Sequence, residues 1–281
     1  MKSDLNFKRI GSLLIPFVLV ILFACGKNDN ASMQAQAADL TKTQNQVKGK
    51  TSLKVSFAPE SANNAIAQAQ QNGDFLLMLF YEKKDDSFKQ MQKISRVFSE
   101  NMAKVIRTYT ALTTDGKESE VIQKYGINRA SLPVLLVFAP NGAITGGFPQ
   151  KVTEEQLSNC MVSKLVMDVL KAVQARKIAL VLLQNSKTKY NAETALTADE
   201  FARDPRLNGY VDIIKQDPGD EEIKDFIAQC KIDNSKNEAT TVFIVPPGQI
   251  RGVYSGKTTK NTLIAGLASC SSGCGSGCGP R

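Results

Sequence analysis

The chain has 281 residues, a formal net charge of +8, and neither histidine nor tryptophan. The lack of His excludes His-based triads, His general bases and His-ligated metals, so a metal ion would have to be held by Cys, Met or carboxylates. The cations are scattered along the sequence and no RNA or DNA motif is present, which speaks against nucleic acid as a partner and suits a basic surface near anionic lipid.

At the N-terminus, Lys2, Lys8 and Arg9 precede an apolar run from Ile10 to Ala24, roughly 15 residues long. That length suits the core of an export signal and is short for a membrane span. The run ends at Leu22-Phe23-Ala24-Cys25-Gly26, which resembles a bacterial lipobox. The resemblance implies a lipoprotein signal peptide over residues 1–24 and acylation of Cys25, palmitate included, as the first residue of the mature chain. The acyl anchor makes the lipid bilayer a partner. Gly26 in second place implies the outer membrane, facing the periplasm. An uncleaved anchor or a plain secretory signal is the alternative. Asn28 to Lys50 is polar and nearly free of large apolar groups, so burial cannot offset its ordering entropy. Residues 25–50 are therefore expected to form a flexible tether. About 230 residues remain, comfortable for two domains.

Ala62 to Asn72 reads as a helix, and Phe75 to Tyr81 as a continuous apolar strand suited to burial on both faces. Ser87 to Asn101 carries Phe88, Met91, Ile94, Val97 and Phe98 at helical spacing. A strand over Ala103–Tyr109 and a helix over Glu118–Tyr125, stopped by Gly126, follow. Pro133–Phe138 and Ala143–Phe148 form a hairpin across Pro140-Asn141-Gly142. Thr153 and Gln156 have the spacing of a capping box, opening a helix that places Leu157, Met161 and Leu165 on one face and runs to about Ala175. The same order then recurs. Ile178–Leu183 is a strand, Thr197–Phe201 begins a helix, Tyr210–Lys215 is a strand and Glu221–Cys230 a helix. Thr241–Val245 and Ile250–Tyr254 form a hairpin across Pro246-Pro247-Gly248, and Asn261–Leu267 is a last helix. Gly142 and Gly248 hold matching turn positions, which argues for an internal repeat.

The segment Phe80-Tyr-Glu-Lys-Lys-Asp-Asp-Ser-Phe-Lys-Gln-Met91 resembles the active-site segment of thioredoxins with both cysteines gone. Asp85 and Phe88 stand where the sulfurs would be. The resemblance extends through Tyr125-Gly126-Ile127, Leu132-Pro133 and Asn141-Gly142. It implies an α/β chain of two tandem thioredoxin-like domains, the first over residues 51–175 without Cys-x-x-Cys and a degenerate second over 176–268. It also implies a cis bond between Leu132 and Pro133, beside a groove that pairs with an extended substrate segment. Nine residues before Gly248 stands Ala239, so the second copy lacks that proline and an ordinary trans bond is expected there. Asp85, Asp86 and Ser87 are favoured residues at a helix start and cannot exchange disulfides. Asn185 to Tyr190, the matching loop of the second copy, has no Cys either.

Residues 269–281 form a Gly/Ser-rich tail with Cys270, Cys274 and Cys278 at every fourth position. Three thiolates on a flexible arm suit a thiophilic ion such as Cu(I) or Zn, or disulfide exchange; a low-complexity tail that oxidises within itself is the plain alternative. Cys160 and Cys230 read as small buried groups. The functional expectation is a membrane-tethered, non-enzymatic envelope protein whose redox-inactive domains bind an envelope protein or an extended peptide, without a cofactor. A metal-handling or thiol-exchange protein working through the tail is the second reading.

Overall fold

The computed structural model describes residues 56–102 and 106–268. Expectations for Cys25, the leader, the tether and the tail cysteines fall outside the described residues. Among the described residues no helix is long and apolar enough to cross a membrane.

The first half contains α1 (Ala62–Asn72), β1 (Phe75–Tyr81), α2 (Asp86–Asn101), β2 (Ile106–Leu112), α3 (Ser119–Lys124), β3 (Val134–Phe138), β4 (Ile144–Pro149) and α4 (Glu154–Ser158). Its sheet runs β2-β1-β3-β4, with β2 parallel to β1 and the other two pairs antiparallel. The period-two alternation of β1 explains the layers. Leu76, Met78 and Phe80 meet Ala62, Ala65 and Ala69 of α1 and Val121 of α3, while Leu77 and Leu79 meet Phe88, Met91 and Phe98 of α2 and Leu157 of α4. Both faces of the sheet are thus buried, each large side chain contributing about 1.5–3 kcal/mol relative to exposure.

The second half repeats this order with α5 (Lys164–Gln174), β5 (Ile178–Leu183), α6 (Asn191–Ala202), β6 (Val211–Gln216), α7 (Lys224–Gln229), β7 (Thr240–Val245), β8 (Gln249–Ser255) and α8 (Lys260–Ala268). Its sheet runs β6-β5-β7-β8 with the same pattern of directions. Backbone details match at corresponding places. Asp74 N–H donates to Ala69 O at 2.9 Å, and Lys177 N–H to Ala172 O at 2.9 Å. Gly73 and Arg176, the residues just before, are both left-handed. Gln150 N–H donates to Pro133 O at 2.7 Å, and Gly256 N–H to Ala239 O at 2.8 Å. Even an ion pair recurs, with its signs exchanged: Asp74 with Arg107 at 2.7 Å, and Lys177 with Asp212 at 2.9 Å.

The expected joining helix from Thr153 to about Ala175 is two helices. The capping box at Thr153 and Gln156 is present, but α4 ends at Ser158, and α5 begins at Lys164. The shared apolar face was misleading because its members serve two cores: Leu157 packs on the first sheet, whereas Leu165, Val169, Ala172 and Val173 pack with Ala179, Val181 and Val242 of the second. The second half therefore opens with α5, before the residue 176 read from the sequence. Three side-chain contacts tie α5 back to the first half. Asn141 Nδ2 donates to Asp168 Oδ1 at 3.1 Å, Ile144 N–H donates to Gln174 Oε1 at 2.9 Å, and Gln174 Nε2 returns a bond to Ile144 O at 2.6 Å. Gly142 lies in the same contact; its φ of +81° and the closeness of the Gln70 amide leave no room for a side chain.

Two other boundaries moved. Strand β2 extends to Leu112 rather than Tyr109, and α6 starts at Asn191, well before Thr197. The buried face of α6 includes Thr194, Thr197 and Ala198, so its first turns carry no apolar stripe to read.

Candidate functional site

Asp85 is the N-cap of α2: its carboxylate accepts the Phe88 N–H at 2.8 Å, and its carbonyl accepts the Lys89 N–H at 3.0 Å. The open N–H groups of a helix start, which favour negative charge, thus meet a carboxylate here. Asp86 and Lys89 form an exposed ion pair at 3.2 Å, which contributes little. Ser87 is half-buried in the same turn. Phe88 is buried and stacks on Tyr81, ring centroids 4.4 Å apart, and the Lys84 ammonium lies 5.9 Å from the Tyr81 centroid. The two positions matched to thioredoxin sulfurs therefore hold a capping carboxylate and a packed aromatic ring.

Across from this loop lies Pro133. The register pairs Phe80 with Val134, which brings the Tyr81 end of β1 beside it. The Leu132–Pro133 bond is cis, as expected, and the bond before Ala239 is trans. A second cis bond, Pro246–Pro247, was not anticipated. Pro133 is buried, Leu132 half-buried and Ser131 exposed. The main-chain N–H and C=O groups of Ser131 and Leu132 have no hydrogen-bond partner among the described residues, whereas the flanking Ala130 and Gln150 amides are bonded. Pro133 is legible in the sequence; the free main chain just before it depends on hydrogen bonds that residue type does not encode.

At the same place in the second half another segment pairs with the main chain. Ala239 N–H donates to Lys189 O at 2.9 Å and Lys189 N–H to Asn237 O at 2.9 Å, forming an isolated parallel bridge between Lys189 and Glu238. The chain reaches there because the segment between β5 and α6, residues 184–190, is longer than its counterpart, residues 82–85. Side chains tie it in place. Thr188 Oγ1 donates to Asn191 Oδ1 at 2.6 Å, Asn191 Nδ2 donates to Asn185 O at 2.7 Å, and Asn185 Nδ2 donates to Asp217 Oδ1 at 2.8 Å. The Gly219 amide and then Asn185 hold the Asp217 carboxyl below its usual range.

Cys160 and Cys230 are free and buried in different cores, one under the first sheet and one under the second. Burial pushes the Cys160 thiol up to about 12 and the Cys230 thiol up to about 11, so neither is a thiolate near neutral pH. Among the described residues no cluster of three or more His, Cys, Asp or Glu is placed to hold a metal ion.

No family model matches the chain, and no curated protein does. Among solved structures it is similar to oxidized thioredoxin O2 from Arabidopsis thaliana, at 18% identity over 35% of this chain and 82% of that one, TM-score 0.29. It is similar to the first two thioredoxin domains of Saccharomyces cerevisiae Eps1p, at 10% identity over 75% of this chain and 97% of that one, TM-score 0.28. Human ERp44 is similar at 13% identity over 80% of this chain and 60% of that one, TM-score 0.33. Both halves have a thioredoxin-like fold. That assignment stands on the chain's own topology: a sheet with one parallel and two antiparallel pairings, two helices on each face, and a cis proline opening β3 of the first half.

Proposed function

We propose that this protein is a lipid-anchored envelope module that holds an extended polypeptide segment along the groove of its first half, without thiol–disulfide exchange. The observation that carries the reading is the unpaired main chain of Ser131 and Leu132, next to buried Pro133. An incoming strand along one edge would pair the N–H and C=O of one of these two residues as a neighbouring strand does, with main-chain bonds supplying affinity and the flanking side chains supplying preference. Tyr81, at the β1 end beside Pro133, has Lys84 near its ring, and exposed Glu82 and Asp85 belong to the same loop, so that loop offers an aromatic face and charges of both signs. Exchange chemistry needs a thiolate at the start of α2, and the Asp85 carboxylate stands there instead. The anchor at Cys25 would keep the groove at the membrane surface.

A photo-crosslinking residue at exposed Ser131 of the full chain tests this, with reduced, carboxymethylated α-lactalbumin as an unfolded probe. Capture at Ser131 and not at exposed Glu100, on α2, is expected; equal capture at both, or none, contradicts the reading. A chain with Cys270, Cys274 and Cys278 replaced by Ser should show no insulin reduction above background. The tail keeps a second reading in view. With Cys160 and Cys230 buried as thiols, any thiol or Cu(I)/Zn chemistry of the mature chain beyond its anchor would fall to the tail cysteines. Metal binding lost with those three replacements would support it.

A further inference from the structure

The two halves differ at one place that decides how many strands the molecule can accept. We propose that residues 184–190 act as an internal ligand of the second groove, so that the protein binds one extended segment per chain, in the first half alone. This rests on the groove reading given above. Three observations carry it. Lys189 donates its N–H to Asn237 O, the counterpart of Ser131 O, and accepts the Ala239 N–H on its own C=O, at 2.9 Å each, so a segment of the chain already lies paired along this stretch of main chain. The Lys189 side chain stays exposed, so the contact is a main-chain one and does not depend on that side chain's chemistry. The bridge is also braced on both sides. Tyr190 is left-handed at φ 68°, its ring lies 5.2 Å from the Lys257 ammonium, and Lys257 pairs with Glu193 at 3.5 Å. The Glu238 carboxylate packs so closely on Gly256 that a Cβ there would lie 2.9 Å from it. In the first half the shorter 82–85 segment makes no such bridge to residues 130–133 among the described residues. Ala239 is what permits the closure, because a proline at that position, as in the first half, has no N–H to give Lys189.

Amide hydrogen exchange on the full chain without any ligand tests the closure directly. The Lys189 and Ala239 amides should exchange at least about tenfold more slowly than the exposed Ser186 amide in the same loop; equal rates overturn the proposal. The consequence is tested with carboxymethylated α-lactalbumin and a photo-crosslinking residue at Ser186. The unsubstituted chain should give no capture there, and Ala239→Pro, which removes the donor, should gain it. Capture at Ser186 in the unsubstituted chain, or none in an Ala239→Pro protein whose circular dichroism and melting show it folded, overturns the proposal. If Ala239→Pro does not fold, the exchange rates decide. Protected Lys189 and Ala239 amides with no capture at Ser131 would sink the groove-binding reading while leaving the internal ligand standing.

Discussion

Asp204 closes the end of α6, its carboxylate held by the Arg206 guanidinium at 2.9 Å and the Lys260 ammonium, at the start of α8, at 2.9 Å. The bonds from Arg206 and then Lys260 hold its carboxyl well below the usual carboxylate range. A depressed folded-state value means that the stabilisation is complete above the unfolded carboxyl's value, about 3.9, and is lost as pH falls further towards the folded one. Asp204→Asn should therefore lower the melting temperature at pH 7, with the gap to the parent protein narrowing in acid; a gap independent of pH would show that the ion pairs are not its source. The buried thiols give a second expectation at this scale. Iodoacetamide at about pH 8 should leave Cys160 and Cys230 unmodified in the folded chain and modify both in denaturant, read by peptide mapping. Labelling of either in the native protein would contradict the placement. Buried Glu118 accepts the Ala62 N–H at 2.7 Å and the Tyr109 hydroxyl at 2.8 Å, so both of its carboxyl oxygens are bonded at the start of α1. Burial, reinforced by Glu118, drives the Tyr109 hydroxyl upward.

At the scale of elements, the last strand of each sheet carries the same device. Phe148 folds over Gly146 on β4, and Tyr254 folds over Gly252 on β8. A Cβ at Gly146 would lie 2.9 Å from the Phe148 ring and overlap Cys160 Sγ as well. Gly146→Ala should cost about 1–3 kcal/mol, read as a lower urea midpoint with an unchanged slope; no change would mean that β4 yields more easily than its packing implies. The strands β1, β3 and β5 were legible in the sequence because burial on both faces writes them as unbroken apolar runs, and β7 through its stretch over residues 242–245. Both hairpins were legible through Gly142 and Gly248. What escaped lies where side-chain chemistry and structure part. The early turns of α6 bury Thr194 and Thr197. The turn between α4 and α5 hides within one continuous stripe that serves two cores. The Lys189 bridge is a main-chain contact and leaves no mark on residue type.

For the whole molecule, two halves share one architecture and differ at their grooves. The charge-exchanged pairs Asp74–Arg107 and Lys177–Asp212 show that one position can hold its geometry while its residues change completely. The grooves diverge further. The first has Pro133 and an open main chain beside it, and the second has Ala239 and a loop paired there through Lys189. Asp85, Phe88 and Pro133 could be located from sequence resemblance alone, but which groove stood open could not, since that depends on hydrogen bonds between residues far apart in the chain. If the first groove receives an extended chain by main-chain pairing, an amide there must gain protection when a chain binds. Amide exchange of the full-length protein, with and without saturating carboxymethylated α-lactalbumin, measures it most directly. On adding the probe, the amide of Ser131 or of Leu132, whichever faces the bound strand, should slow, while the Lys189 and Ala239 amides, already slow, do not change; probe binding that leaves both Ser131 and Leu132 unaltered would contradict main-chain pairing.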